Sequence, residues 1–377
     1  MISNCIIKFL VNNQEMKTAL NFGFAFRQSG RIVLTLLAAW LAAQACVALH
    51  TPLPWMIGPL LTTAVLSVSG LKTLSWNPLR NTGQWVIGAA LGLYFTPHVN
   101  AMVVSFWWLI VVCIVWSLVL GYGFGAWLYG FNAPRFSGLD KATTYFASLI
   151  GGASEITLLA ERKNARTDLV AAAHSLRVLI VTVTVPSAIQ WLGWHGLDAA
   201  PPNAQAFSLT GLVLLAVLTG LGAAGVKMLG RANPWFIGPL LASIALTATE
   251  IELSRLPVEM TNAAQLVIGV SLGVRFTSEF LHTAPRWLAS VAMGTFAMML
   301  LCVGFSFVLC ELTQLPLATM VLGTAPGGIA EMAITAKVLQ LGVAVVTALQ
   351  VCRLIAVLIL AEPLYRWLEA KGQFKPS

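Results

Sequence analysis

The chain has 377 residues, of which 58% are hydrophobic and 10% charged, against about 25% charged in ordinary soluble domains. A mean hydropathy of +0.82 and several apolar runs near the ~20 residues a spanning helix needs exclude a soluble globular class. The net charge of +8 is scattered over short loops between apolar segments, as in the cytoplasmic loops of membrane proteins. It forms no basic recognition helix, so direct nucleic-acid binding is not expected.

Residues 1–26 lack the basic, apolar, small-residue order of a cleaved signal peptide, and residues 1–30 read as a cytoplasmic tail. A first spanning helix is expected from Arg31 to about Leu49, stopped by His50-Thr51-Pro52-Leu53-Pro54, because proline cannot continue a helix. PWMIGPLL (Pro54–Leu61) opens a second segment reaching about Gly70, with Gly58-Pro59 inside it. The third, Gly83–Thr96, carries Gly88 and Gly92 at the spacing that lets helices approach closely. The fourth, roughly Ala101 to Tyr129, holds Trp107, Trp108 and Trp116 and reads as lipid-facing. A polar connection, Asn132 to Asp140, leads to Lys141–Arg166, an apolar stretch broken at Gly151-Gly152. A last helix of this half is expected from about Leu169 to Trp194, with Asp168 at its cytoplasmic start.

Residues 197–206 form a polar, proline-bearing linker, after which the pattern returns. PWFIGPLL matches PWMIGPLL at an offset of 180, and QLVIGVSLGVRFT matches QWVIGAALGLYFT at an offset of 181. Glu331 and Arg353 repeat Glu155 and Arg177 at an offset of 176, and both Glu-to-Arg spacings are 22 residues. Three matches in one order mark a duplication: a first repeat over 31–196, a second over 207–370, and a tail at 371–377.

Charge sets the expected topology. If each broken stretch re-enters on the side it left, each repeat crosses five times and the second repeat is inverted. With the N-terminus inside, only Arg255 and Lys337 then fall outside, and only Arg177 and Arg353 within the membrane. If the broken stretches cross fully, Arg162, Lys163, Arg166, Lys227 and Arg231 move outside, against the positive-inside rule. The expected fold is therefore an all-α integral membrane protein. It has two inverted five-helix repeats, about ten transmembrane helices, two re-entrant broken helices and both termini cytoplasmic.

The broken stretches are the candidate site. Gly151-Gly152 and Gly327-Gly328 permit backbone angles closed to other residues, and the helix that follows each presents free N–H groups to an anion. Glu155 and Glu331 fall in the first turns of those helices. They are either helix-capping carboxylates or groups that couple a proton or cation. Arg177 and Arg353, buried in apolar helices, each need a partner: the glutamate of their own repeat, or an anionic substrate. Ser154, Gln84 and Gln265 join the candidates, with Thr157 and Thr335 as further hydroxyls. His174 precedes Arg177 by one turn and is replaced by Gln350 in the second copy, which favours a satisfied polar contact over a proton relay. Of the six cysteines all but Cys5 lie in apolar runs and none form CxxC. Neither a disulfide framework nor a metal site is indicated, and no cofactor is expected.

The paired motifs PW[MF]IGPLL, Q[LW]VIG…LG…FT and GG[AI][SA]E…R resemble those of the AbrB family of duplicated bacterial membrane proteins, over about residues 31–370. The resemblance implies a multi-pass protein of the bacterial inner membrane, in a family whose members carry labels of regulator of gene expression or ammonia monooxygenase. The histidines His50, His98, His174, His195 and His282 are too scattered for a copper site. The layout is similar to the cation/proton-antiporter and anion-transporter superfold. It implies a secondary transporter of a small anionic metabolite coupled to protons or sodium, and not an enzyme. The alternative is a membrane-embedded regulator that acts on expression indirectly. Expected partners are the lipid bilayer, a small-molecule substrate and H+ or Na+, with homodimerisation left open.

Overall fold

The computed structural model describes residues 28–134, 139–194, 207–251, 253–279 and 284–371, and all regular structure among them is helical. The expected linker and nearly all of both tails lie outside the described residues. Six helices are long and apolar enough to cross a membrane, the build of a multi-pass membrane protein. They are α1 (Gln28–Ala48), α5 (Trp107–Asn132), α8 (Thr167–Trp191), α9 (Leu209–Met228), α12 (Pro285–Thr313) and α15 (Val343–Ala370). Shorter helices complete the chain: α2 (Pro54–Val68), α3 (Asn77–Gly92), α4 (Pro97–Ser105), α6 (Lys141–Ser148), α7 (Ala153–Glu161), α10 (Pro234–Ala248), α11 (Val258–Gly273), α13 (Leu317–Thr324) and α14 (Ile329–Leu339).

Three expectations are corrected. The fourth segment is two helices, α4 and α5, divided at Phe106, whose φ of −96° and ψ of 26° leave the helical range. Its tryptophans also do not share a lipid-facing role. Trp107 is exposed, but Trp116 stacks on Phe305 at 4.3 Å and Trp108 packs against the cluster containing Leu109 and Leu309. α3 also begins earlier than the apolar run, at Asn77-Pro78, where proline's missing N–H would be unpaired anyway.

The centre is a bundle of four short helices. Glycine is required there by close approach. A Cβ at Gly88 would collide with the Phe236 carbonyl of α10, and one at Gly92 with Ser243 and the Leu240 carbonyl. The images of these contacts in the second repeat are Gly269 on the Met56 carbonyl and Gly273 on the Leu60 carbonyl of α2. Both registers rise together, so α3 runs along α10, and α11 along α2, in the same direction. These four contacts bring one repeat onto the other, while Gly58 on Ala42 and Gly238 on Gly222 and Ala223 bind helices within a repeat.

The two broken stretches are hairpins. Past the tip of the first, the Arg166 amide donates to Thr143 Oγ1 at 2.9 Å, so the end of α7 has returned to the start of α6. From there α8 climbs beside α6: His174 reaches the Phe146 carbonyl and Arg177 reaches those of Ser148 and Leu149. The second hairpin does the same. Gly342 comes back against Thr319, and Gln350 and Arg353 of α15 reach the Leu322 and Ala325 carbonyls at the end of α13.

Candidate functional site

α6 ends at Ser148 and α13 at Thr324, leaving carbonyls that no further helical turn can pair. In apolar surroundings each needs a donor. Arg177 supplies it: Nη1 donates to Ser148 O at 3.1 Å and Nη2 to Leu149 O at 2.7 Å. Arg353 donates from Nη1 to Ala325 O at 2.7 Å and from Nη2 to Gly327 O at 3.0 Å. Both arginines are buried, and neither is paired with a glutamate among the described ion pairs. The glutamate of their own repeat, one of the two partners expected from sequence, is therefore not theirs among the described residues; the carbonyls at the breaks are.

His174 and Gln350 hold these guanidinium groups. Arg177 Nη2 lies 2.7 Å from His174 Nδ1, whose ring puts Nε2 3.0 Å from Phe146 O. An arginine can only donate, so Nδ1 accepts and Nε2–H donates, the neutral ring. Gln350 fills both roles in the second repeat: Oε1 accepts from Arg353 at 2.5 Å and Nε2 donates to Leu322 O at 2.7 Å. Histidine and glutamine are interchangeable here because each offers one acceptor and one donor at opposite ends.

The returning limbs begin at Gly152 and Gly328, the N-caps of α7 and α14. Glu155 and Glu331 are therefore the third residues of their helices. Each carboxylate folds back over its own N-cap glycine, where a Cβ would strike it, the posture of a glutamate satisfying a helix N-terminus. The Thr157 and Thr335 hydroxyls donate back to Ala153 O and Glu331 O, both at 2.7 Å, and so are occupied within their helices.

Both hairpin tips open on one cavity of about 140 Å³. Gly151, Gly152, Ser154, Glu155, Gly327, Gly328, Glu331, Arg353 and Gln84 all line it. Arg177, on the far side of its own break, and Gln265, buried elsewhere, are not among its lining residues. Sequence reasoning missed four polar contributors, Arg80, Asn233, Ser271 and Arg275. Arg80 enters from the first turn of α3 and Arg275 from just beyond α11. Arg275 feels the charges of Arg80, Glu331 and Glu155, so the four groups share one electrostatic environment. The readable signal for Arg275 was a mismatch inside a matched motif, with arginine standing where the first copy has Tyr94. Arg80 had none beyond its charge.

Two curated relatives span most of this chain. "Uncharacterized protein YhjN" of Bacillus subtilis is 28% identical over 344 residues, covering 83% of this chain and 87% of the relative. "Putative regulator AbrB" of Escherichia coli is 25% identical over 325 residues, covering 85% and 92%. Residues 55–369, and with them every hairpin and cavity residue described above, match the family described as "Transition state regulatory protein AbrB", and the chain belongs to that family.

Proposed function

We propose that the protein is a secondary membrane transporter of a small anionic metabolite, coupled to protons or sodium. The observation that carries this reading is the shared cavity. Two helix N-termini and three arginines meet two glutamates there, between elements drawn from both repeats. Helix N-termini and arginine attract anions, while paired carboxylates at the same place offer a seat for a proton or a cation. Hairpins from opposed repeats meeting near the midplane are a recurring solution to alternating access.

The finer architecture belongs to the same proposal: ten crossings made by α1, α2, α3, α5 and α8 and their five counterparts, inverted repeats, and both termini cytoplasmic in a bacterial inner membrane. The helix registers support it. Consecutive crossings alternate in direction, so α11, third in its repeat, can run with α2, second in its own, only if the repeats are opposed. Each eight-residue first limb, α6 and α13, rises about 12 Å, under half of a ~30 Å hydrocarbon core, as a re-entrant element requires.

Flux of labelled small carboxylates into proteoliposomes tests the reading. Glu155→Gln and Glu331→Gln should each abolish coupled flux while the purified protein keeps its melting temperature. Unchanged flux in both variants would remove the glutamates from coupling. The names of the family and of the Escherichia coli relative favour a second reading, a regulator that acts by binding a ligand or setting its internal level. Effects on expression that persist in flux-dead variants would select it.

A further inference from the structure

We infer that Arg80 and Arg275 are the anion-binding residues of the cavity and that they furnish only one of its two faces. The protein would then take up its anion tightly from the membrane side that carries them. This rests on the transporter reading only for its sidedness; the binding assignment stands apart from it.

The assignment follows from what each cation is already doing. Arg177 and Arg353 spend their terminal nitrogens on carbonyls and on His174 and Gln350, so they can offer a ligand little beyond their charge. Arg80 and Arg275 line the same cavity with no side-chain hydrogen bond or ion pair among the described residues, and Arg80 Nε, like those of Arg177 and Arg353, is buried without a partner among them. The cavity glutamates do not neutralise them at contact, because each carboxylate is folded over its own helix start. Three arginines against two glutamates leave the cavity with formal charge +1. Its volume of about 140 Å³ holds about five water-sized groups, the scale of acetate, pyruvate or malonate.

The sidedness comes from the duplication. At the motif's offset of 181, Arg80 maps onto Thr261 and Arg275 onto Tyr94. Arg80 starts α3 and Arg275 ends α11, whereas Tyr94 and Thr261 stand at the other ends of those helices. If the two repeats exchange roles to open the opposite face, threonine and tyrosine take the places of the arginines. An anion would meet full charges on one face and hydroxyls on the other.

The test follows thermal melting of the purified full chain in detergent during titration with sodium acetate, pyruvate and malonate, against methylammonium chloride at matched ionic strength. At least one of the three anions should raise the melting temperature. The apparent Kd should weaken tenfold or more in Arg80→Thr and Arg275→Tyr, the repeat-mate substitutions, and less in Arg80→Lys and Arg275→Lys, which keep a point charge. No stabilisation by any of the three anions overturns the assignment, as does equal stabilisation of wild type and all four variants. In proteoliposomes, half-saturation should come at a tenfold lower anion concentration on the face carrying the arginines, and equal values on both faces overturn the sidedness. Arginine-dependent binding without flux would defeat the transporter reading and leave this assignment standing. Flux of a cation or neutral solute without anion binding would do the reverse.

Discussion

At the scale of single residues, four buried or half-buried arginines divide into two jobs, and stability measurements should separate them. Arg177→Ala strands the Ser148 and Leu149 carbonyls, and a buried polar group left unpaired costs about 1–3 kcal/mol. Arg177→Ala and Arg353→Ala, each stranding two carbonyls, should therefore lower stability in detergent by about 3 kcal/mol or more, read as a markedly lower melting temperature. Arg80→Ala and Arg275→Ala, which break no side-chain hydrogen bond among the described residues, should fall within about 1 kcal/mol of wild type. Equal losses across the four would refute the division. His174→Gln gives a finer check. Because Gln350 does the same work in the second repeat, this substitution should keep nearly all stability, whereas His174→Ala should not. Much of the candidate cavity lining could be read from sequence because it was duplicated, Glu155 with Glu331 and the glycine pairs; the glutamine also recurs, but only Gln84 of the two reaches the cavity. Arg80 and Arg275 escaped for the converse reason. Comparing two copies selects what they share, and these residues stand where the copies differ.

At the scale of elements, the glycines do two different kinds of work. Gly88 and Gly269 meet neighbouring backbone, which cannot step aside. Gly88→Ala or Gly269→Ala must push α3 from α10 or α11 from α2, a form of overpacking that typically costs about 1–3 kcal/mol and should appear as a lower melting temperature. Gly152 and Gly328 instead meet the ends of Glu155 and Glu331, flexible groups that can swing away. Gly152→Ala and Gly328→Ala should then cost less in stability, yet dislodge a carboxylate from its helix start and lower coupled flux. If Gly152→Ala proved the more destabilising class, the folded-back posture of Glu155 would be refuted. The motif GxxxG announced the first kind of glycine in the sequence, since small residues at that spacing mark close helix contact. The division of the fourth segment was not announced. Phe106 is neither proline nor glycine, and the residues on either side of it, Ala101–Val104 and Trp107–Val112, are apolar.

At the scale of the whole molecule, the proposed topology of opposed repeats draws support from charge and from contact registers by independent routes. Loop charge is a property of insertion, blind to which helices touch. The shared direction of α2 with α11 and of α3 with α10 is a property of packing, blind to which loops carry lysine. Both support the proposed opposed repeats, an arrangement that would put the open ends of the two hairpins on opposite faces. Asn164 and Gln340 mark those ends, each exposed just beyond a returning limb. In a chain freed of its native cysteines, Asn164→Cys should react with a membrane-impermeant maleimide only from the cytoplasmic face, and Gln340→Cys only from the outside. Labelling of both from one face would mean parallel repeats. It would also dissolve the argument for two alternating mouths, because Tyr94 and Thr261 would no longer stand where Arg80 and Arg275 stand when the site turns over.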